Sequence, residues 1–111
     1  MNHASHFSFE NDGAPKRPAT LVIDARIIVN PPAPTKKARR KAILRAPYAK
    51  ELLYRAERHL EENPDGHVAF GCRLGQDRSP ALAEELNRRM AVKAHGEAVA
   101  ALLALWTKES A

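Results

Sequence analysis

The sequence predicts an α/β domain: a small parallel-type sheet with flanking helices and a phosphate-binding loop between a strand and a helix. Three observations carry that prediction. The apolar run His67-Val68-Ala69-Phe70 leads into Gly71-Cys72-Arg73-Leu74-Gly75-Gln76-Asp77-Arg78-Ser79-Pro80, and a helical stretch, Ala81 to Met90, leads out. A second run, Leu21-Val22-Ile23-Asp24-Ala25-Arg26-Ile27-Ile28-Val29, is nearly continuous in its apolar start and reads as a strand buried on both faces, as parallel strands are. Between the two runs lies an apolar stripe at helical spacing. The resulting order of strand, helix, strand, loop and helix is the α/β pattern, in which ligands gather beyond the carboxyl ends of the strands.

In chain order, residues 1–6 are expected to be disordered and residues 7–111 to form a single domain. Phe7-Ser8-Phe9 alternates and opens a short strand, and Asn11-Asp12-Gly13 with Pro15 and Pro18 makes a turn-rich connection. The 21–29 strand stops at Asn30-Pro31-Pro32-Ala33-Pro34. Lys36-Lys37-Ala38-Arg39-Arg40-Lys41 is a basic surface run, either a solvated helix face or a flexible loop. From Tyr48 a helix is expected, with Ala49, Leu52, Leu53, Ala56 and Leu60 on its apolar face and Asn63-Pro64-Asp65-Gly66 at its end. Ser79 suits the N-cap of the next helix and Pro80 its first position. Leu82, Leu86 and Met90 give that helix a buried stripe. Gly96 breaks the pattern, and a last helix from Glu97 to Lys108 turns Val99, Leu102, Leu103 and Trp106 inward.

Composition narrows the function classes. The formal net charge of +5 favours anionic partners, phosphorylated metabolites or nucleic acid. The single cysteine excludes an internal disulfide and fits a reducing cytoplasm; with no ligand spacing among the five histidines, no metal or cofactor is expected. Met1 to Glu10 is polar and has no signal-peptide core, and the longest apolar run, Ala98 to Trp106, falls well short of the ~20 residues that span a bilayer. The expectation is a cytoplasmic protein with no membrane partner.

The loop itself carries the chemistry. A strand-loop-helix junction points several backbone N–H groups at one place, and the helix dipole adds partial positive charge there. Arg78 supplies a planar fork for two phosphate oxygens, and Gly75 allows close backbone approach or a positive φ. The ligand-binding candidates in the loop are Cys72, Arg73, Leu74, Gly75, Gln76, Asp77, Arg78 and Ser79. Asp24, Arg26 and Asn30 join them from the end of the first long strand. Asp24 could equally be a salt-bridge partner that ties Arg78 in place.

These clusters resemble the C-terminal domain of the RapZ (YvcJ-type) RNase adapter family. Ser8-Phe9 before Gly13-Ala14-Pro15, Asp24-Ala25-Arg26 with Asn30-Pro31, and Gly71-Cys72, Gly75 and Arg78-Ser79 follow that family's Gly-x-Pro, Asp-x-Arg…Asn-Pro and Gly-Cys-x-x-Gly-x-x-Arg-Ser elements in order. The departures are Asp77 for a histidine, Leu74 for a second glycine, Arg73 for a threonine, and Pro32 for an aromatic residue or histidine. The resemblance implies a domain that senses a phosphosugar, glucosamine-6-phosphate in the family, coupled to RNA. Here it implies a stand-alone, divergent relative without the family's preceding nucleotide-binding domain and basic C-terminal tail.

Two further readings stand beside it. Cys72, Arg78 and Ser79 also meet the Cys-x5-Arg-Ser requirement of cysteine-dependent phosphatases, with Asp24, Asp65 or Asp77 as the general acid that the leaving group needs. In a sensor there is no catalytic residue. RNA would be met by Lys36, Lys37, Arg39, Arg40, Lys41 and Arg45, through phosphates and not bases, since no aromatic residue interleaves with them. A homo-oligomer or a separate regulatory protein completes the expected partners.

Overall fold

A computed structural model of the chain describes residues 3–110. Three strands, β1 (Ala4–Ser8), β2 (Leu21–Asp24) and β3 (Val68–Cys72), form one parallel sheet in the order β1-β3-β2. Three helices follow their own order along the chain: α1 (Lys36–Arg45), α2 (Ala49–Glu62) and α3 (Arg78–Ser110). Among the described residues no helix is long and apolar enough to cross a membrane.

β3 is the central strand, and every one of its five residues is buried. Its alternate side chains Val68, Phe70 and Cys72 enter the hydrophobic core with Leu52, Leu53, Ala56 and Leu60 of α2 and with Leu82 and Leu86 of α3. The apolar stripe read for α2 is thus its buried face, and Leu82, Leu86 and Met90 pack as expected. On the other sheet face Gly71 lies under aromatic rings. A Cβ there would come within 2.5 Å of Phe7 and 2.6 Å of Phe9, whose rings meet edge to face.

Four expectations are corrected. The chain is ordered before residue 7: β1 begins at Ala4, because Asn87 of α3 accepts from the amides of His3 and Ala4 and donates to the Ala4 carbonyl. That side chain satisfies the outer edge of an edge strand, which otherwise has no ladder partner. Residues 1 and 2 lie outside the described residues.

The 21–29 segment is not one doubly buried strand. β2 is a four-residue edge strand with Val22 half exposed, and it passes at Asp24 into a short 3-10 turn, Ala25–Ile27. Ala25 and Ile28 are fully buried while Ile27 and Val29 face out, so the apolar run plugs the core as a shoulder.

The third correction concerns the start of α3. The helix begins at Arg78, and the Asp77 carbonyl accepts from the Ala81 amide, so Ser79 lies inside the first turn instead of capping it. Pro80 also falls in that turn, where a missing N–H costs nothing.

Lastly, α3 runs unbroken through Gly96 to Ser110. One glycine costs a helix interior only ~1 kcal/mol, too little to end it. From Ala91 onward the helix is exposed, with Lys93 still paired to Glu61 of α2, and Val99, Leu102, Leu103 and Trp106 are exposed instead of turned inward. The radius of gyration, 16.6 Å, exceeds the ~13 Å of a compact domain of this size for that reason.

Gly71→Ala is expected to destabilise the domain by about 2–3 kcal/mol in urea unfolding, because the Phe7 ring of β1 and the Phe9 ring just after it must move. An unchanged midpoint would contradict this packing.

Candidate functional site

At the carboxyl end of β3 the chain turns through residues 73–77 and enters α3. Gly75 stands at φ +68°, in the left-handed region, and a Cβ on it would press to 3.3 Å on the Phe7 backbone and on Ser8. Both properties expected of this glycine are therefore present. Backbone hydrogen bonds hold the loop to the segment after β1: the Phe9 amide donates to the Cys72 carbonyl and the Glu10 amide to that of Arg73. The Ser8 hydroxyl adds a 2.8 Å bond to the Arg73 carbonyl.

Cys72 and Ser79 close the loop. The Cys72 Sγ lies 3.1 Å from the Ser79 Oγ and accepts from the Ser79 amide at 3.4 Å. Ser79 is fully buried and Cys72 nearly so. The Ser79 hydroxyl is thereby directed at the thiol and at the Phe7 carbonyl, 3.5 Å away.

A cleft of about 80 Å³ opens beside the loop, lined by Asn30, Cys72, Arg73, Leu74, Gln76, Asp77 and Arg78. It has room for several ordered waters and so for one phosphate group. The α3 N-terminus is at this place with its positive dipole end; the Ser79 amide is taken by Cys72 Sγ, that of Ala81 by the Asp77 carbonyl, and Pro80 has none, which leaves the Arg78 amide as the first-turn donor for a ligand. Arg78 Nη1 donates to the Ile28 carbonyl at 2.9 Å, which fixes the guanidinium against the segment that ends at Asn30. A second cleft of about 230 Å³ shares Leu74 with the first and is lined by His6, Ser8, Asn11, Asp12, Lys16 and Gly75.

Asp24 and Arg26 sit at the margin and line neither cleft. They bind each other: Arg26 donates to Asp24 through Nε at 2.9 Å and through Nη2 at 2.6 Å, and its backbone amide adds a third bond. The Arg26 guanidinium also lies 4.0 Å over the Phe9 ring. The Arg26 side chain holds the Asp24 carboxyl below the usual carboxylate range, with a smaller contribution from the Arg78 charge. Asp24 is therefore an ionised acceptor at neutral pH and not a proton donor. Arg78 contacts a carbonyl, so the alternative in which Asp24 is its hydrogen-bonded partner is corrected.

The acid inside the loop has its own counter-ion. Asp77 Oδ2 pairs with Arg39 Nη1 at 3.3 Å, and the Asp77 side chain is only 11% exposed. Its Oδ1 is buried with no hydrogen-bond partner. Arg40 reaches Glu84 at 2.8 Å and the Gln76 carbonyl at 3.5 Å. Arg73 pairs with Glu10. The basic run is thus a helix, α1, two of whose arginines brace the loop. Asp65, the other candidate acid, is in the turn before β3, at the opposite end of the strand from the loop.

Of the residues singled out in the sequence, the structure brings Asn30, Cys72, Arg73, Leu74, Gln76, Asp77 and Arg78 around one cleft, with Asp24 and Arg26 at its margin. Sequence reasoning missed the bracing roles of Ser8, Glu10 and Arg39, and it missed the second cleft with His6, Asp12 and Lys16. Asp77 in a loop read as a phosphate cradle was the usable signal: an acid there calls for a cation, though not a particular one. Comparison with protein-family models, curated proteins and solved structures finds no match.

Arg39→Ala leaves the Asp77 carboxylate mostly buried and unpaired, and is expected to cost about 1–2 kcal/mol by urea unfolding. Adding Asp77→Asn should recover part of that loss. Equal stability of wild type and Arg39→Ala would mean that the pair contributes nothing.

Proposed function

We propose that this domain binds a phosphorylated small molecule at the 72–79 loop and serves as a sensor, not a catalyst. The observation that carries the reading is the cleft of about 80 Å³ at the α3 N-terminus, with Arg78 anchored at its wall by Ile28 and the loop drawn tight by Cys72 and Ser79. Phosphate oxygens would take the Arg78 amide, amides of the preceding loop and the free edge of the guanidinium. The organic part would extend past Asn30 or into the neighbouring cleft with Asp12 and Lys16. The likeness to RapZ C-terminal domains names an amino-sugar phosphate, glucosamine-6-phosphate, as the ligand to try first. Occupation would order the loop and α1 through Arg39 and Arg40, which gives binding a route to a protein or RNA partner in the cytoplasm.

A phosphatase is the second reading, favoured by one observation: the Cys72 sulfur sits 3.1 Å from the Ser79 hydroxyl and 3.4 Å from its amide, so the hydroxyl that such enzymes place beside the nucleophile is in position. Against it, Asp24 is held ionised by Arg26 and Asp77 is tied to Arg39, so neither is set up as the general acid. RNA contact would fall to Lys36, Lys37 and Lys41, which line the groove between α1 and α3 together with Glu84 and Glu85. Those two carboxylates dilute the positive field of that groove.

In calorimetric titrations with glucosamine-6-phosphate, Arg78→Ala should weaken binding by about 10- to 100-fold with its far-UV spectrum unchanged, the worth of a charge-assisted bidentate contact. Cys72→Ser should bind about as wild type does. Unchanged affinity in Arg78→Ala would overturn the site, and inorganic phosphate release that Cys72→Ser abolishes would establish the phosphatase instead. A gel shift with RNA should weaken steeply with salt and in the triple variant Lys36→Ala, Lys37→Ala, Lys41→Ala; no shift at low salt would remove RNA from the partners.

A further inference from the structure

The distal half of α3 does not continue the face that the proximal half buries. Leu82, Leu86 and Met90 mark the core face. At 3.6 residues per turn, Val92, Gly96, Val99, Leu103 and Trp106 make a second stripe about a third of a turn away. Val92, Val99 and Trp106 recur every seven residues, and Leu102 and Leu103 flank them, which is the spacing of a helix seam and not of a solvated face. The stripe is exposed: Val92 60%, Val99 40%, Leu102 66%, Leu103 59%, Trp106 67%. No charged residue lies on it between Lys93 and Trp106. Lys93, Ala94 and Glu97 still lie beside α2 on another side of the helix, where Lys93 pairs with Glu61, whereas the stripe residues are exposed.

We infer that this stripe is the interface of a two-fold dimer, in which the distal α3 of one copy packs antiparallel against that of a second copy. The stripe is self-complementary in that arrangement. With the two-fold axis level with Ala101, Val99 of each copy lies opposite Leu103 of the other, and Gly96 lies opposite Trp106. A Cβ at Gly96 would meet nothing within 4 Å, so the smallest residue of the stripe leaves an open notch facing the largest. The pairing is isologous and closes on itself. The exposed side chains offer roughly 400–500 Å² per copy. Two copies with their flanking alanines bury about 1,000 Å², the size at which a specific interface begins. The dimer is therefore reversible, forming and dissociating with protein concentration.

Sedimentation velocity of the full chain over a concentration series tests this. Wild type should move from one chain to two with rising concentration, and no further. Leu103→Glu and Val99→Lys should each raise the dissociation constant at least ten-fold while retaining the far-UV spectrum, since both positions are exposed in the single copy. Mixed in equal amounts, the two variants should regain the dimer, because only in the antiparallel register does Lys at 99 of one copy meet Glu at 103 of the other. A wild type that stays a single chain, a dimer that Leu103→Glu leaves intact, an assembly larger than two, or a mixture that stays monomeric would each overturn the inference.

Discussion

The loop between β3 and α3 is closed at its base by the Cys72 thiol against the hydroxyl and amide of Ser79. β3 is buried along its whole length, so the chain can leave it only at the sheet edge and must re-enter the core within the first turn of α3. Ser79 takes that re-entry point, fully buried, and its second hydrogen bond ties α3 to β1 at the Phe7 carbonyl. The five residues between then have little freedom. A left-handed Gly75 folds them back over Phe7 and Ser8, and Arg78, the first residue of α3, comes to line the cleft. Without this closure the strand end and the helix start would not converge on one place.

Electrostatics around the cleft follow from that geometry. Three acids stand near a site proposed for an anion, and each is answered by an arginine from a different element: Asp77 by Arg39, Asp24 by Arg26 and Glu10 by Arg73. Asp77 is the consequential case. It is nearly buried, one of its oxygens has no hydrogen-bond partner, and left unpaired it would oppose a dianion a few ångströms away. Arg39 offsets that charge and also couples α1 to the loop. The site reads as preorganised and close to neutral, with Arg78 and the helix dipole as its net attraction for phosphate. Asp24, kept ionised by Arg26, completes a rim of acceptors and not of acids.

How much of this was legible in the sequence depended on how local each feature is. The strand-loop-helix junction announces itself through Phe70-Gly71-Cys72, Gly75 and the stripe Leu82-Leu86-Met90, all within one stretch. The face of α2 is equally local. Of β1 only the end at Phe7-Ser8 was legible, since its first residues are ordered by Asn87, more than eighty positions away. β2 was read too long because an apolar run states that residues are buried and not in which conformation; Ile28 is buried from a 3-10 shoulder. The distal α3 misled for a related reason. Val99, Leu103 and Trp106 form a genuine apolar stripe, but hydrophobicity does not say which surface receives it, and this domain's own core does not. Ion pairs such as Arg39 with Asp77 are settled by tertiary packing alone. Arg26 satisfied Asp24 at a separation of two residues, which left Arg78 to the Ile28 carbonyl.

The central claim is that the amides of this loop and of the first turn of α3 hold a phosphate group. An amide NMR titration with glucosamine-6-phosphate, run beside glucosamine alone, tests it most directly. The account predicts saturable shifts concentrated on the amides of residues 74–79 and on the Arg78 Nε–H, with glucosamine alone leaving them in place. Shifts confined to α1, or none at all up to high ligand excess, would contradict it.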